Sequence, residues 1–274
     1  MLKAEGFTDV QFVKISAGGP QFNRALATGE VHFAMNAAPG HVTGVDAEVP
    51  IVALAGLHAG CYELFGTDRV RSIRDLKGKT VAVPGLRSGR HVFVAAMAAS
   101  VGLDPTKDIT WVVRPEGESM RLFAEGKIDA FLGFPPEPQE LRAKKIGHVL
   151  VNTLTDRPWS QYFCCMLAAS REFVRTSPVA TKRALRAVLK AADICALEPE
   201  RVARLVIDRG FAQHYDSTLQ LIKELGYRQW RQYDPEETIR FYALRLREVD
   251  FIKSNPQKII AQGTDWRFLN EKRS

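Results

Sequence analysis

Two stretches of the chain read as copies of one another. The first, Ala25 to Pro39, contains Ala27-Thr28-Gly29-Glu30-Val31-His32-Phe33-Ala34; the second, Leu122 to Pro136, contains Ala124-Glu125-Gly126-Lys127-Ile128-Asp129-Ala130. Each holds the end of a helix, a glycine where a left-handed residue stops helices, a short apolar strand and a Pro-containing loop. Asp9–Val13 and Asp108–Val112 extend the match upstream. A duplicated strand–helix–strand unit gives two similar α/β lobes, and two facing lobes enclose a ligand.

The 274 residues are enough for two domains of ordinary size, and 46% hydrophobic with 25% charged content is that of a globular chain. No apolar run approaches the roughly 18 residues of a membrane span. The net charge of +7 is concentrated in the C-terminal third, at Lys182-Arg183 and Arg245–Arg247, as expected for solvated helix faces. It also favours an anionic small molecule. No basic stretch is interleaved with aromatics, so nucleic acid is not an expected partner. Cys61, Cys164, Cys165 and Cys195 lack zinc-site spacing, and the vicinal pair in an apolar strand reads as buried and inert. Met1–Gly6 lacks the pattern of a signal peptide. It resembles the last turn of a helix closed by Gly6.

Periodicity and breakers order the rest. Strands are expected at Val10–Ile15, Val31–Met35, Pro50–Leu57, Tyr62–Gly66, Thr80–Val83, Ile109–Val113, Ile128–Phe134, Val149–Thr153 and Tyr162–Ala169. Gly18-Gly19-Pro20 opens a helix to Thr28, and Asn36–Gly40 reads as a loop. Ser88 N-caps a helix to Val101, and further helices fall at Glu118–Glu125 and Gln139–Lys145. Alternation of this kind indicates parallel βαβ units. Beyond Arg171, Pro178, Pro199, Pro235 and Pro256 each stand at a first helical position, so the last hundred residues are mostly helical.

The segments Ala27–Ala34, Asp75-Leu76-Lys77-Gly78-Lys79-Thr80-Val81-Ala82-Val83-Pro84-Gly85, Glu125–Ala130 and Gly263-Thr264-Asp265-Trp266-Arg267-Phe268-Leu269-Asn270 resemble the substrate-binding proteins of bacterial ABC importers. The group is that of the nitrate, taurine, alkanesulfonate and thiamine-precursor binders. The resemblance implies a type II periplasmic-binding-protein-like fold: α/β, two lobes of mixed, mostly parallel sheets flanked by helices. Lobe one is expected to hold residues 1–76 and 166–274, lobe two 77–165, with crossovers near Gly66–Asp75 and Trp159–Cys165. The family pattern also has a strand, a loop and a helix before the point matching Met1. An N-terminally shortened chain, without its signal peptide, is the expectation, with a gap in the first lobe flanked by Phe33 and Val52.

In open α/β sheets ligands lie beyond the carboxyl ends of the strands. That rule selects Asn36 and Ala37, His58, the Gly85–His91 segment with Arg87, Ser88, Gly89 and His91, and Pro136 with Glu137. A helix start, a capping hydroxyl and flanking arginines suit an oxyanion; the alternative is a capped helix with solvated arginines. Arg87 is the better inward candidate than Arg90. Tyr162 and Trp159 pack either on a ligand or between lobes. His58 and His91 fit structural roles better than ligation.

No catalytic constellation, metal cluster or cofactor motif is recognisable. The leading reading is a monomeric periplasmic or extracytoplasmic receptor, carrying an anionic or polar small molecule to ABC permease subunits in the membrane. The same fold hosts pyrimidine synthases of thiamine biosynthesis, whose clustered cysteines Cys164-Cys165 faintly resemble. An effector-sensing domain of a regulator is the third class, without a helix-turn-helix to support it.

Overall fold

The computed structural model describes residues 1–13, 15 and 20–273. A 3-10 turn, Leu2–Glu5, opens the chain and ends on Gly6 at φ 91°, the left-handed stop expected there. The elements that follow are α1 (Pro20–Thr28), β1 (Phe33–Ala37), α2 (Ala38–Asp46), β2 (Ile51–His58), β3 (Glu63–Gly66), β4 (Lys79–Val83), α3 (Gly89–Ser100) and β5 (Ile109–Val113). Next come α4 (Glu116–Ala124), β6 (Ala130–Gly133), α5 (Glu137–Ala143), β7 (His148–Asn152) and β8 (Cys165–Ser170). The chain ends in α6 (Arg171–Thr176), α7 (Pro178–Leu197), α8 (Pro199–Asp208), α9 (Tyr215–Glu224), α10 (Pro235–Glu248), α11 (Pro256–Gly263) and α12 (Arg267–Arg273). Pro178, Pro199, Pro235 and Pro256 each head a helix, where the missing N–H has no helical partner to lose. Asp234 and Asn255 cap α10 and α11, accepting from the amides of Glu236 and Lys258 at 2.8 Å.

The two repeat copies lie in different sheets. One has the order β1-β8-β2, the other β5-β4-β6-β3-β7. β8 runs antiparallel to β1 and β2, just as β3 runs antiparallel to β6 and β7. The smaller sheet therefore reproduces the β6-β3-β7 half of the larger one. The larger sheet adds β4 and β5, which run parallel to β6 and to one another. Among the described residues, the outer edge of β1 carries no strand in the place of β4.

Side-chain alternation divides the five-stranded sheet into two faces. Leu64, Val81, Ala130 and Leu132 join the main core, which continues through α3 and α10 into the smaller sheet. Phe65, Ala82 and Phe131 face the other way and pack with Phe123 of α4 and Leu141 of α5. All eight residues of β2 are buried, as a strand covered on both faces requires.

Four expectations are corrected. Val10–Val13 and Ile15 form no strand, and Phe12 is 78% exposed; Gly18 and Gly19 lie outside the described residues. The segment read as the loop Asn36–Gly40 instead ends β1 and begins α2, whose glycines mask its helical character. A Cβ on Gly44 would lie 2.2 Å from the Asn23 side-chain nitrogen, so close packing against α1 explains that glycine. β3, expected with residues 1–76 in lobe one, is hydrogen-bonded into the five-stranded sheet. Val52 does not border the free edge of β1, because β8 stands between them: Phe33 and Val52 both pair with Ala169.

Candidate functional site: the crossovers and the facing helix starts

The chain passes between the sheets twice, through Ala59–Tyr62 and through residues 153–164. The two passages are knitted together. The Thr153 hydroxyl accepts from the amides of Cys61 (3.2 Å) and Tyr62 (3.1 Å) and donates to the Tyr62 carbonyl (2.9 Å). The Cys164 amide donates to the His58 carbonyl at 3.0 Å. Gly60, at φ 65°, lets the first passage turn against the second: a Cβ there would lie 2.5 Å from that of Leu154. A disulfide joins Cys61 to Cys164.

Beside this hinge two helix starts meet. Ala37 ends β1 and leads into α2, while Ser88 caps α3 by accepting from the His91 amide at 3.3 Å. A Cβ on Gly89 would sit 3.5 Å from the Ala37 methyl and 3.6 Å from the Tyr62 hydroxyl, so the lobes approach one another at these residues. Ala38 commits its amide to the Cys164 carbonyl at 2.9 Å, and Pro39 has none to offer. The α3 start is therefore the better anion seat. Its first amides lack intrahelical acceptors, and its dipole adds roughly half a positive charge.

Asn36 is buried at the end of β1 and donates to the Asn23 side-chain oxygen at 2.7 Å; Asn23 in turn donates to the Gly40 carbonyl. Arg87, expected to turn inward, is exposed, and its guanidinium lies 5.2 Å from the centre of the Phe251 ring. Its φ of 63° directs its amide to His91 Nδ1, 2.8 Å away. That bond, and edge-on packing against Trp111, hold the His91 ring; burial and the Arg87 charge push its pKa down to about 4.

Arg90 is buried and donates to Glu137 Oε2 at 2.6 Å and to the Leu132 carbonyl. Glu137 also accepts from the Phe134 amide at 2.9 Å, so the pair anchors α5 to the end of β6. Pro136, joined to Pro135 by a cis peptide, is exposed just before it. Tyr162 stacks on Phe241 of α10 with ring centres 4.0 Å apart, and Trp159 packs on the same ring. His58 is buried beside the cysteines, and burial pushes its pKa down to about 4.

The structure thus brings Ala37, Ser88 and Gly89 together, with Asn36 next to Ala37 in β1, while the side chains of Arg87, His91 and Tyr162 pack on Phe251, Trp111 and Phe241. Sequence reasoning missed Tyr62, which packs on Phe93 and Phe134 and faces Gly89. It also missed the cross-lobe group in which Arg142 of α5 reaches Glu63 (2.7 Å) and Glu224 of α9 (3.4 Å). Burial raises the Glu63 pKa, against the pull of Arg142. No spacing signal announces these contacts, since they join residues 79 and 82 positions apart.

The fold agrees with known structures. The nitrate-binding protein NrtA of Synechocystis PCC 6803 superposes with a TM-score of 0.78 at 16% identity, over 98% of this chain and 81% of that one. The sulphonate-binding protein SsuA of Escherichia coli gives 0.64 at 17% identity, over 91% and 82%. Both are periplasmic binding proteins, and no helix among the described residues is long and apolar enough to cross a membrane. In sequence, the bicarbonate-binding protein CmpA of Synechococcus elongatus is 30% identical over 128 residues, 46% of this chain. That stretch spans 28% of the relative's length. The NMT1-like family model matches residues 2–209, and the chain belongs to the NMT1-like family, with the two-lobe fold of periplasmic binding proteins.

Proposed function

We propose that the protein is the extracytoplasmic solute-binding component of an ABC importer, and that it takes a small anion between its lobes for delivery to the permease. Sheet membership supports a division at the two passages, with residues 63–152 as lobe two and the remainder as lobe one. The observation that carries the reading is the meeting of the Ser88-capped start of α3 with Ala37 and Tyr62, beside a double crossover. Such a seat offers peptide amides, a hydroxyl and a helix dipole, and no formal charge: Arg90 is held by Glu137, and Arg87 lies over Phe251. It suits a small oxyanion better than a bulky polyanion. The named relatives bind bicarbonate, nitrate and sulphonates, all anions of this kind.

Nothing in the site resembles a nucleophile with its base. Burial pushes the Cys165 thiol up to about 12, and His58 and His91 stay neutral. Calorimetry with bicarbonate, nitrate and a short alkanesulfonate tests the reading, with an uncharged sugar as control. At least one anion is expected to bind, and Ser88→Ala to weaken it roughly three- to tenfold, about 1 kcal/mol, with the fold retained. Binding of the sugar alone, or anion binding indifferent to Ser88→Ala, would place the ligand elsewhere.

A further inference from the structure

We propose that Cys61, Cys164, Cys165 and His58 form a binding site for a thiophilic metal ion, open only when the Cys61–Cys164 disulfide is reduced. Cys61 and Cys164 come from the two passages and His58 and Cys165 are the strand-end residues beside them, so the site lies at the hinge.

Geometry carries the proposal. The Cys165 sulfur lies 3.8 Å from that of Cys61 and 3.7 Å from that of Cys164. Tetrahedral zinc with Zn–S bonds of about 2.3 Å sets its sulfurs roughly 3.8 Å apart. Two edges of a three-sulfur face are therefore already in place, and breaking the disulfide frees the third to open. A ring nitrogen of His58 and the sulfurs of Cys61 and Cys165 all lie within 4.8 Å of one another, which supplies the fourth vertex.

The surroundings fit as well. His58 Nδ1 lies 3.3 Å from the Gly60 carbonyl, which can only accept; Nδ1 then carries the proton and Nε2 keeps its lone pair. A histidine ligand is oriented by such a bond. Burial keeps the ring neutral, the form that ligates. The Cys165 thiol has no reason to ionise in its buried place, but a coordinated cation deprotonates a thiol outright. Tyr227 packs on His58 with ring centres 5.3 Å apart and also lines a cavity of about 270 Å³ with Cys195, which brings solvent near the cluster.

The two states exchange by a balanced step. A dithiol attacks the Cys61–Cys164 bond, its own sulfurs join as a disulfide, and its two hydrogens end on Cys61 and Cys164. The metal ion then displaces the three thiol protons to solvent. Either state ties one passage to the other, by a covalent bond or through the ion.

The test uses the whole chain with Co²⁺ as the probe. The protein is titrated as isolated in its disulfide form, then after reduction with dithiothreitol and anaerobic desalting. Thiol titration should rise from the two free cysteines, Cys165 and Cys195, to all four. The reduced chain should bind one Co²⁺ with the sulfur-to-cobalt charge-transfer and intense visible bands of a tetrahedral thiolate site, and Zn²⁺ should displace it. Cys165→Ser and His58→Asn should each weaken binding by at least about tenfold, while Cys195→Ser leaves it unchanged. Absence of tetrahedral bands in the reduced wild-type chain would overturn the proposal, whatever the variants do. So would equal binding by the disulfide form, or loss of binding in Cys195→Ser.

Discussion

Asp129 and His32 occupy the same position in the two repeat copies, three residues after Gly126 and Gly29, and their fates differ. Asp129 accepts from the Thr80 amide (2.9 Å) and hydroxyl (2.7 Å) and from Arg69, so one carboxylate ties β6 to the start of β4. Those bonds outweigh the desolvation of the group and hold its pKa below the usual carboxylate range. Among the described residues no strand stands beside β1 in the place of β4, and the His32 ring packs instead on Phe173, 4.5 Å away. Asp129→Ala should therefore destabilise the protein by roughly 1.5–3 kcal/mol, the worth of a lost charged hydrogen-bond group. His32→Ala should cost far less. Urea unfolding of both variants checks this; equal losses would mean that Asp129 is no tie. The repeat made the position visible in the sequence. What the position does depends on a strand neighbour, which the sequence alone does not show. The same limit explains Arg87 and Tyr162, whose side chains lie against Phe251 and Phe241.

At the scale of elements, legibility follows the strength of the local signal. Proline at a first helical turn is decisive, and all four such helices begin at the expected residue. Gly29 and Gly126 take positive φ where each repeat copy was expected to end its helix. α2 was illegible because Gly40 and Gly44 lower helix propensity, while the burial of Ala38–Val45 supplies the stability that propensity lacks. The sheet to which β3 belongs was equally hidden. Strand type can be read from apolar alternation, but the partner of a strand depends on contacts distant in sequence. The disulfide escaped for the same reason, since its cysteines are 103 residues apart and neither carries a local mark of pairing. Among the described residues the outer edge of β1 carries no strand and Met35 is 46% exposed, which leaves that edge open to edge-to-edge association.

For the whole molecule, buried histidines set the response to acid. His41, His58 and His91 each have a pKa pushed down to about 4 by burial. In the unfolded chain a histidine titrates near about 6.5. Above that pH all three are neutral in both states and their contribution is fully present. As pH falls from about 6.5 toward 4 the unfolded chain takes up protons that the native chain refuses, and stability falls by up to roughly 1.4 kcal/mol per pH unit for each group. Glu5, held down to about 2 by Arg186 and Lys190, adds a further loss below the ordinary range for glutamate. Denaturant unfolding at pH 7 and pH 5 should show this decline. It should be shallower in His41→Gln, whose amide can keep the donated bond to the Gly263 carbonyl. Stability independent of pH over that range would refute it.

The double passage between the sheets also fixes an order of events. The strands of the five-stranded sheet all lie within residues 63–152, one unbroken stretch, so that sheet can close as soon as its own chain is available. β1 and β2 cannot: the strand that joins them, β8, begins only at Cys165. Until it arrives, neither has the strand that joins them, which lies beyond all of residues 63–152. Pulse-labelled hydrogen exchange during refolding should protect the amides of β4 and β6 before those of β1 and β2, and the reverse order would contradict this sequence of events.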